Sequence, residues 1–393
     1  MQFESSTAPL IVFGPGSLDQ LGGHASRFGN RAWLVTGSEA LERAGAMERV
    51  EAQLRSHGVS SARQVVSAEP DLETIDRGHR NAREAGCDHV IGIGGGSVLD
   101  TAKAVAVLLG NGGEAIDYLE VVGRGRKLDQ PGLPCIAVPT TAGTGSEVTR
   151  NSVIADPVNH TKASMRHEHL LPRVALLDPT LTWGLPAAVT ARSGLDAMIQ
   201  LIEPYVSRRS HPMIDVLALE GIRRSARALP RAYANGHDAE ARADMMLAAN
   251  WSGMALAHCG LGACHALAGP LGGSYPIAHG MACAATIPYV IAANLRACER
   301  DPNGPETIRR HEDVARAMGL SEGRTPLETA GKAAEHMGQL IRELEVPNLA
   351  AAGVSRAAFP DLIARAKRTS SMQANPVDLT DEELNEILER AME

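Results

Sequence analysis

Apolar and polar positions change rhythm near the middle of this chain. In the first half, short apolar runs alternate with stretches of helical spacing: Arg31-Ala-Trp-Leu-Val-Thr36, His89 to Ile93, Pro134 to Val138 and Val174 to Leu177 read as strands, and Val98 to Leu109 as an apolar helix. Such alternation predicts a parallel sheet wrapped by helices, with ligands outside the carboxyl ends of its strands. After Leu185-Pro186 helical periodicity takes over, in Ala187 to Tyr205, Pro212 to Tyr233, Ala239 to Leu256 and several later segments. Asp301 to Gly304 and Gly323 to Pro326 read as loops in that half, and Thr380-Asp-Glu-Glu383 as the cap of a closing helix. The chain is therefore expected to form an α/β domain over residues 1–183 and an all-α domain over 184–393.

Two glycine-rich turns interrupt the α/β half. In the first, His89 to Gly94 is a strand, Gly94-Gly-Gly-Ser97 lets backbone approach a ligand closely, and a helix carrying Asp100 and Lys103 follows. In the second, Val138-Pro-Thr-Thr-Ala-Gly-Thr-Gly-Ser-Glu147 ends a buried strand, and Thr144 to Glu147 has the Ser/Thr-x-x-Glu form of a helix capping box. Free N–H groups at a helix start, backed by the helix dipole, attract anions. An ordinary strand-to-helix turn explains either segment alone; two in one half point to a dinucleotide.

Composition narrows the partners. A net charge of -8, with no basic stripe to offset it, argues against a nucleic-acid partner. The first residues, Met1-Gln-Phe-Glu, lack a positive region followed by an apolar core, and the longest apolar stretches are short or interrupted by Pro288, so no membrane association and a cytoplasmic location are expected. The six cysteines read as reduced thiols rather than a disulfide framework. His258-Cys259 with Cys264-His265 imitates a zinc site but has no Cys-x-x-Cys knuckle, and packing is the expected role of the cysteines there.

The helical half carries its own chemistry. Asp196 and Gln200 are four apart on a helical pattern and share a face. His279 follows His265 by fourteen residues, beyond Gly272-Gly273 and Pro276, which must end any helix between them, so the chain bends back.

These motifs resemble those of the iron-containing (group III) alcohol dehydrogenases, which share the dehydroquinate synthase-like fold. The resemblance rests on Phe13-Gly-Pro-Gly16, Gly94 to Lys103, Pro139 to Thr149, Asp178-Pro-Thr-Leu-Thr182, Gly194-Leu-Asp-Ala197 and the region from His265 to His279. It implies a nicotinamide cofactor, NAD(P)(H), and a divalent metal, iron rather than zinc, bound by one Asp and three His. Asp196, His265 and His279 match three of those positions and are the implied catalytic groups, whereas Gln200 stands where the family usually has His. An amide oxygen is a harder, weaker ligand than imidazole for iron or zinc. The alternative is that Gln200 hydrogen-bonds in a core without metal. A second departure is Gly269, where many members place another His.

The resemblance further implies Gly95, Gly96 and Ser97 at the pyrophosphate with Asp100 nearby, Thr140, Thr141 and Thr144 along the phosphates and nicotinamide ribose, and Lys162 at a ribose hydroxyl. Members preferring NAD commonly carry Asp after the Arg31–Thr36 strand, where it repels a 2′-phosphate. Here Gly37 and Ser38 take its place, so NADPH is expected to be accepted. The expected reaction is hydride transfer between nicotinamide C4 and a small alcohol or aldehyde, by a homodimer or larger homo-oligomer. A metal-free reductase resembling maleylacetate reductases is one alternative, although those usually alter the Asp position. A lyase resembling dehydroquinate synthase is another; its phosphorylated sugar needs a basic pocket, and few cations beyond Arg192 lie near these residues in sequence.

Overall fold

The computed structural model describes residues 2–37, 40–43, 45–156 and 161–393. It separates into two compact units, Ser5–Thr141 with Gly145–Gly184, and Leu185–Glu393 with Ala142–Thr144 and the N-terminal residues to Glu4.

The first unit holds strands β1 (Leu10–Phe13), β2 (Arg31–Thr36), β3 (Ser60–Val65), β4 (His89–Gly94), β5 (Cys135–Pro139), β6 (Asn151–Asp156), β7 (Thr161–Arg166) and β8 (Val174–Leu177). Its helices are α1 (Leu21–Ala25), α2 (Ala40–Arg43), α3 (Ala46–Ser56), α4 (Leu72–Glu84) and α5 (Gly96–Asn111). Six strands form one sheet in the order β1-β8-β5-β4-β2-β3, with every pairing parallel, as the alternation predicts. The central strands β4 and β5 are buried throughout, which their near-continuous apolar sequence requires of strands covered on both faces. The chain leaves β2 for β3 on one side and returns to β4 on the other, so the strand order reverses at β2/β4, where ligands bind in open sheets of this kind. Thr36 pairs with Ile93, and Gly94 with Pro139, so β2, β4 and β5 end nearly level and deliver Gly37, Gly95 and Thr140 to one edge.

One expectation is corrected here. Thr144 to Glu147 does not open a helix: only a 3-10 turn, Ser146–Val148, forms behind the left-handed Gly145, and the chain then enters an antiparallel ribbon of β6 and β7. Long-range contacts outcompete the capping signal. The Lys103 ammonium, fully buried, donates to the Ser146 carbonyl (2.9 Å), Thr149 Oγ1 (3.0 Å) and the Asn151 carbonyl (2.5 Å). Asp100 accepts from the Ser146 hydroxyl at 2.6 Å and from the Val153 N–H at 3.0 Å. These bonds use the groups that a helix starting at Thr144 would need. On the β1/β8 side of the sheet, Asp178, also fully buried, accepts from the N–H groups of Gly16, Leu18 and Thr180. That tie explains the Phe13-to-Gly16 and Asp178-to-Thr182 motifs together.

The second unit is helical: α6 (Ala187–Val206), α7 (Pro212–Ala234), α8 (Ala239–Cys259), α9 (Ala263–Ser274), α10 (His279–Ala297), α11 (Gly304–Ala317), α12 (Pro326–Glu343), α13 (Phe359–Lys367), α14 (Ser370–Ala374) and α15 (Asp381–Ala391). No single helix among the described residues is long and apolar enough to cross a membrane. The closing helix has the expected capping box between Thr380 and Glu383. At the centre runs α6, buried on nearly every side from Gly194 to Val206, which is how a helix apolar all round must pack. Within it Leu195, Ala197, Met198, Ile199, Leu201 and Ile202 form core, and the polar exceptions are Asp196, Gln200 and Glu203.

Candidate metal centre and cofactor turns

Burying an unpaired carboxylate costs several kcal/mol, so acidic residues inside an apolar helix need partners. Asp196, Gln200 and Glu203 follow one another at helical spacing and so share a face of α6. Two other helix starts meet that face. His265 lies in the first turn of α9, and His279 is the first residue of α10. Gly280 lets α10 come this close, because a Cβ there would lie 2.2 Å from the Arg192 carbonyl oxygen and 3.2 Å from Asp196 Cβ. Gly262 does the same for α9, since its Cβ would lie 2.8 Å from Glu203 Oε1.

The result is a convergent cluster. His265 Nε2 stands 3.6 Å from Asp196 Oδ1, and His279 Nε2 stands 3.9 Å from the same oxygen. The Gln200 amide donates from Nε2 to Asp196 Oδ2 at 2.9 Å. Glu203 binds behind the cluster: Oε2 accepts from His265 Nδ1 at 2.6 Å, and Oε1 accepts from the Cys264 N–H at 2.7 Å. Asp196, Gln200, Glu203 and His265 are all buried, while the side chain of His279 is 42% exposed and marks the open side.

Electrostatics call for a cation here. Burial favours the neutral acid at Asp196, yet the imidazoles of His265 and His279 and the Gln200 amide hold its carboxyl below the usual range. Burial also opposes charge on His265, but the carboxylates of Glu203 and Asp196 outweigh it and push its pKa up to about 10. Two buried carboxylates thus demand positive charge at one point, either a proton on His265 Nε2 or a metal ion. Asp196 Oδ1, Gln200 Oε1 and His265 Nε2 are buried atoms without a hydrogen-bond partner among the described residues. All three can donate a lone pair, so the donor set fits a divalent cation.

The structure also adds residues that the sequence reading passed over. Glu203 is seven positions past Asp196 on the α6 face, and Cys283 is one helical turn past His279. Asp196, His265, His279 and Cys283 each offer one ligand atom, all within 4.8 Å of one another. The spacings were legible, but the depth of burial was not. Gly269 is exposed, and a Cβ there would have nothing within 4 Å among the described residues. Trp251, Tyr275 and His258 have partners within the unit: the Arg224 guanidinium over the Trp251 ring at 5.6 Å, the Ser355 N–H on the Tyr275 hydroxyl, and the Met254 carbonyl on His258 Nδ1.

In the α/β unit, Gly95 is the N-cap of α5 and has no side-chain cap bond, so the N–H groups of Gly96 and Ser97 in the first turn have no intrahelical acceptor. A Cβ on Gly95 would stand 3.3 Å from Thr141 Oγ1, which puts this threonine against the glycine turn. Such a cradle suits a phosphate. The Thr140 N–H closes the β4 end on the Gly94 carbonyl at 3.0 Å, and the Gly37 N–H reaches the Ile93 carbonyl at 3.4 Å. Gly37, Gly95, Gly96, Ser97, Thr140 and Thr141 therefore gather at the ends of β2, β4 and β5. Thr144 is exposed and belongs with the helical unit, Ser38 lies outside the described residues, Lys162 pairs with Glu69 at 2.6 Å, and Asp100 is engaged by Ser146, Val153 and Lys103.

Comparison with known proteins agrees with both halves. The family described as "Iron-containing alcohol dehydrogenase" matches residues 8–179, and "Fe-containing alcohol dehydrogenase family, C-terminal" matches residues 190–392. The chain is 37% identical over 387 residues to a "Long-chain-alcohol dehydrogenase 1" of Geobacillus thermodenitrificans, covering 98% of this chain and 95% of the relative. A crystal structure of 1,3-propanediol oxidoreductase superposes over 100% of both chains with a TM-score of 0.92 and 31% identity. Sulfoacetaldehyde reductase from Bifidobacterium kashiwanohense, solved in complex with NAD+, superposes with a TM-score of 0.87 and 28% identity, over 100% of this chain and 99% of that one. The chain belongs to the iron-containing alcohol dehydrogenase family, oxidoreductases of CH–OH groups that use NAD(P) and a divalent metal.

Proposed function

We propose that this chain is a metal-dependent, NAD(P)-linked alcohol dehydrogenase or aldehyde reductase that transfers a hydride between nicotinamide C4 and the carbon of a small alcohol or aldehyde. The observation that carries the reading is the convergence of Asp196 Oδ1, Gln200 Oε1 and His265 Nε2, buried and unpartnered among the described residues, beside His279. Asp196, His265 and His279 would hold the metal, with the Gln200 oxygen available as a further donor. When bound, the metal supplies Lewis-acid stabilisation of a developing alkoxide, and the nicotinamide supplies or takes the hydride.

The remaining work belongs to this chain's own side chains. Gln200 fixes the Asp196 carboxylate through Oδ2 and so leaves Oδ1 toward the imidazoles. Glu203 sets His265 as an Nδ1–H donor and keeps Nε2 directed at Asp196. His279, on the open side, would complete the protein's hold on the metal, which leaves proton exchange with the substrate oxygen to solvent or the cofactor ribose. The glycine cradle at Gly95 to Ser97 and the hydroxyls of Thr140, Thr141 and Thr144 would hold the cofactor phosphates and nicotinamide ribose, with Lys162 at a ribose hydroxyl. Gly37 and Ser38 in place of a carboxylate admit the 2′-phosphate, so NADPH is accepted.

Metal analysis of protein purified without chelator, joined to an NADPH and NADH oxidation screen across aldehydes, tests this. Stoichiometric metal whose removal abolishes turnover supports the reading. Full turnover by metal-free protein would overturn it in favour of a maleylacetate reductase-like reaction.

A further inference from the structure

We infer that Cys283 supplies a thiolate to the metal centre, so that the cation is held by one carboxylate, two imidazoles and a sulfur. This rests on the metal-dependent reading above and goes beyond it in naming a fourth, soft donor. Cys283 follows His279 by one turn of α10 and therefore projects from the same face. Its Sγ lies 3.8 Å from His279 Nε2, and Sγ, Asp196 Oδ1 and the two histidine nitrogens are mutually within 4.8 Å.

Those separations suit a shared cation. Two atoms bound to one tetrahedral cation at about 2.0–2.3 Å stand roughly 3.3–3.6 Å apart. Three of the six separations in this cluster are 3.6, 3.9 and 3.8 Å and the rest lie within 4.8 Å, so inward movement of about an ångström or less brings all four atoms to one cation. The other nearby thiol is turned elsewhere. Cys264 donates to the Cys283 carbonyl at 3.0 Å and meets Thr286 Oγ1 at 3.3 Å, so its sulfur is directed to the backbone of α10. Cys283 is itself fully buried, and a buried thiol beside two imidazoles and an unpartnered carboxylate oxygen is a ligand arrangement rather than a surface accident.

The chemistry balances without a redox partner. The S–H bond breaks, a sulfur lone pair takes up the cation, and one proton leaves to solvent. A sulfur donor makes the site thiophilic and favours zinc and cobalt(II) over manganese and magnesium, offsetting the hard amide oxygen of Gln200.

Cobalt(II) added alone to the metal-stripped full chain is the direct test. The expected result is one cobalt per chain with a near-ultraviolet sulfur-to-cobalt charge-transfer band, retained in Cys264→Ser and lost in Cys283→Ser. Bound cobalt without that band, or a band that persists in Cys283→Ser, overturns the thiolate and leaves the metal-dependent reading standing. Failure to bind cobalt or zinc at all removes both. Should Cys283→Ser not fold, X-ray absorption of the zinc-loaded wild-type chain decides, with a sulfur scatterer at about 2.3 Å expected and a shell of nitrogen and oxygen alone contradicting the inference.

Discussion

Glu203 Oε2 accepts a hydrogen bond from His265 Nδ1 at 2.6 Å, and this one contact determines what the other side of the imidazole does. A carboxylate partner requires Nδ1 to carry the proton, so Nε2 is the nitrogen that takes either a second proton or the metal beside Asp196. Glu203→Gln keeps the shape but weakens that polarity. Metal affinity, read by competition with a chromophoric chelator, is expected to fall about 10- to 100-fold, with a smaller effect on the KM for aldehyde. Unchanged affinity would show that His265 is oriented by packing alone.

Gln200 binds Asp196 through its nitrogen and keeps an oxygen unpartnered. Replacing it by His exchanges a hard donor for imidazole, the better ligand for iron and zinc. Gln200→His is expected to retain metal at chelator concentrations that strip the wild type. Equal loss from both proteins would place the side chain outside the coordination shell.

At the cofactor turn, a Cβ on Gly37 would meet nothing among the described residues closer than Val98 Cγ2 at 3.9 Å, so a larger residue fits against β4 and α5. Gly37→Asp should therefore fold normally and place a carboxylate where a 2′-phosphate is proposed to sit. Like charges in contact cost several kcal/mol, so the KM for NADPH is expected to rise by at least about tenfold while that for NADH changes little. A parallel change for both cofactors would argue that Gly37 does not face the adenosine ribose.

Lys103 ties α5 to the segment that the capping signal misread. Lys103→Met would leave the largely buried Asp100 carboxylate without its cation and remove one donor each from the Ser146 and Asn151 carbonyls. Breaking a buried pair from one side costs about 3–5 kcal/mol, and a loss of that size in a chemical-denaturation midpoint is the expected outcome. A change below about 1 kcal/mol would mean that water replaces the ammonium.

Acid stability should show the mark of His311. Burial, with a small contribution from Arg310, lowers its pKa to about 4, while its Nδ1 faces the Thr307 carbonyl at 2.9 Å. The unfolded chain takes up this proton near pH 6.5, and the native one only near pH 4. Stability from this residue is therefore complete above about pH 6.5, is lost as pH falls toward 4, and amounts to about 3 kcal/mol at most. His311→Gln should flatten the fall in unfolding free energy over that interval; an unaltered slope would assign it to other groups.

Much of this protein is written in short-range patterns. The strands at Arg31–Thr36, His89–Gly94 and Val174–Leu177, the helix behind Gly95, the capped last helix and the change to helices after Leu185 follow from residue spacing and caps, which act within a few positions. Asp196, Gln200, His265 and His279 were also legible, as helical spacing and motif order. The ribbon of β6 and β7 was not: Ser146 has a helix-capping context in sequence but is captured by Asp100 and Lys103, more than forty positions away. The edge strand β3, Ser-Ser-Ala-Arg-Gln-Val, was equally hidden, because an edge strand needs little apolar patterning. Glu203 and Cys283 acquire their meaning only when α6, α9 and α10 close on one another. Local order specified the elements and the ligand types; packing alone determined which buried oxygen, nitrogen and sulfur atoms share one point, since that depends on contacts between residues far apart in the chain.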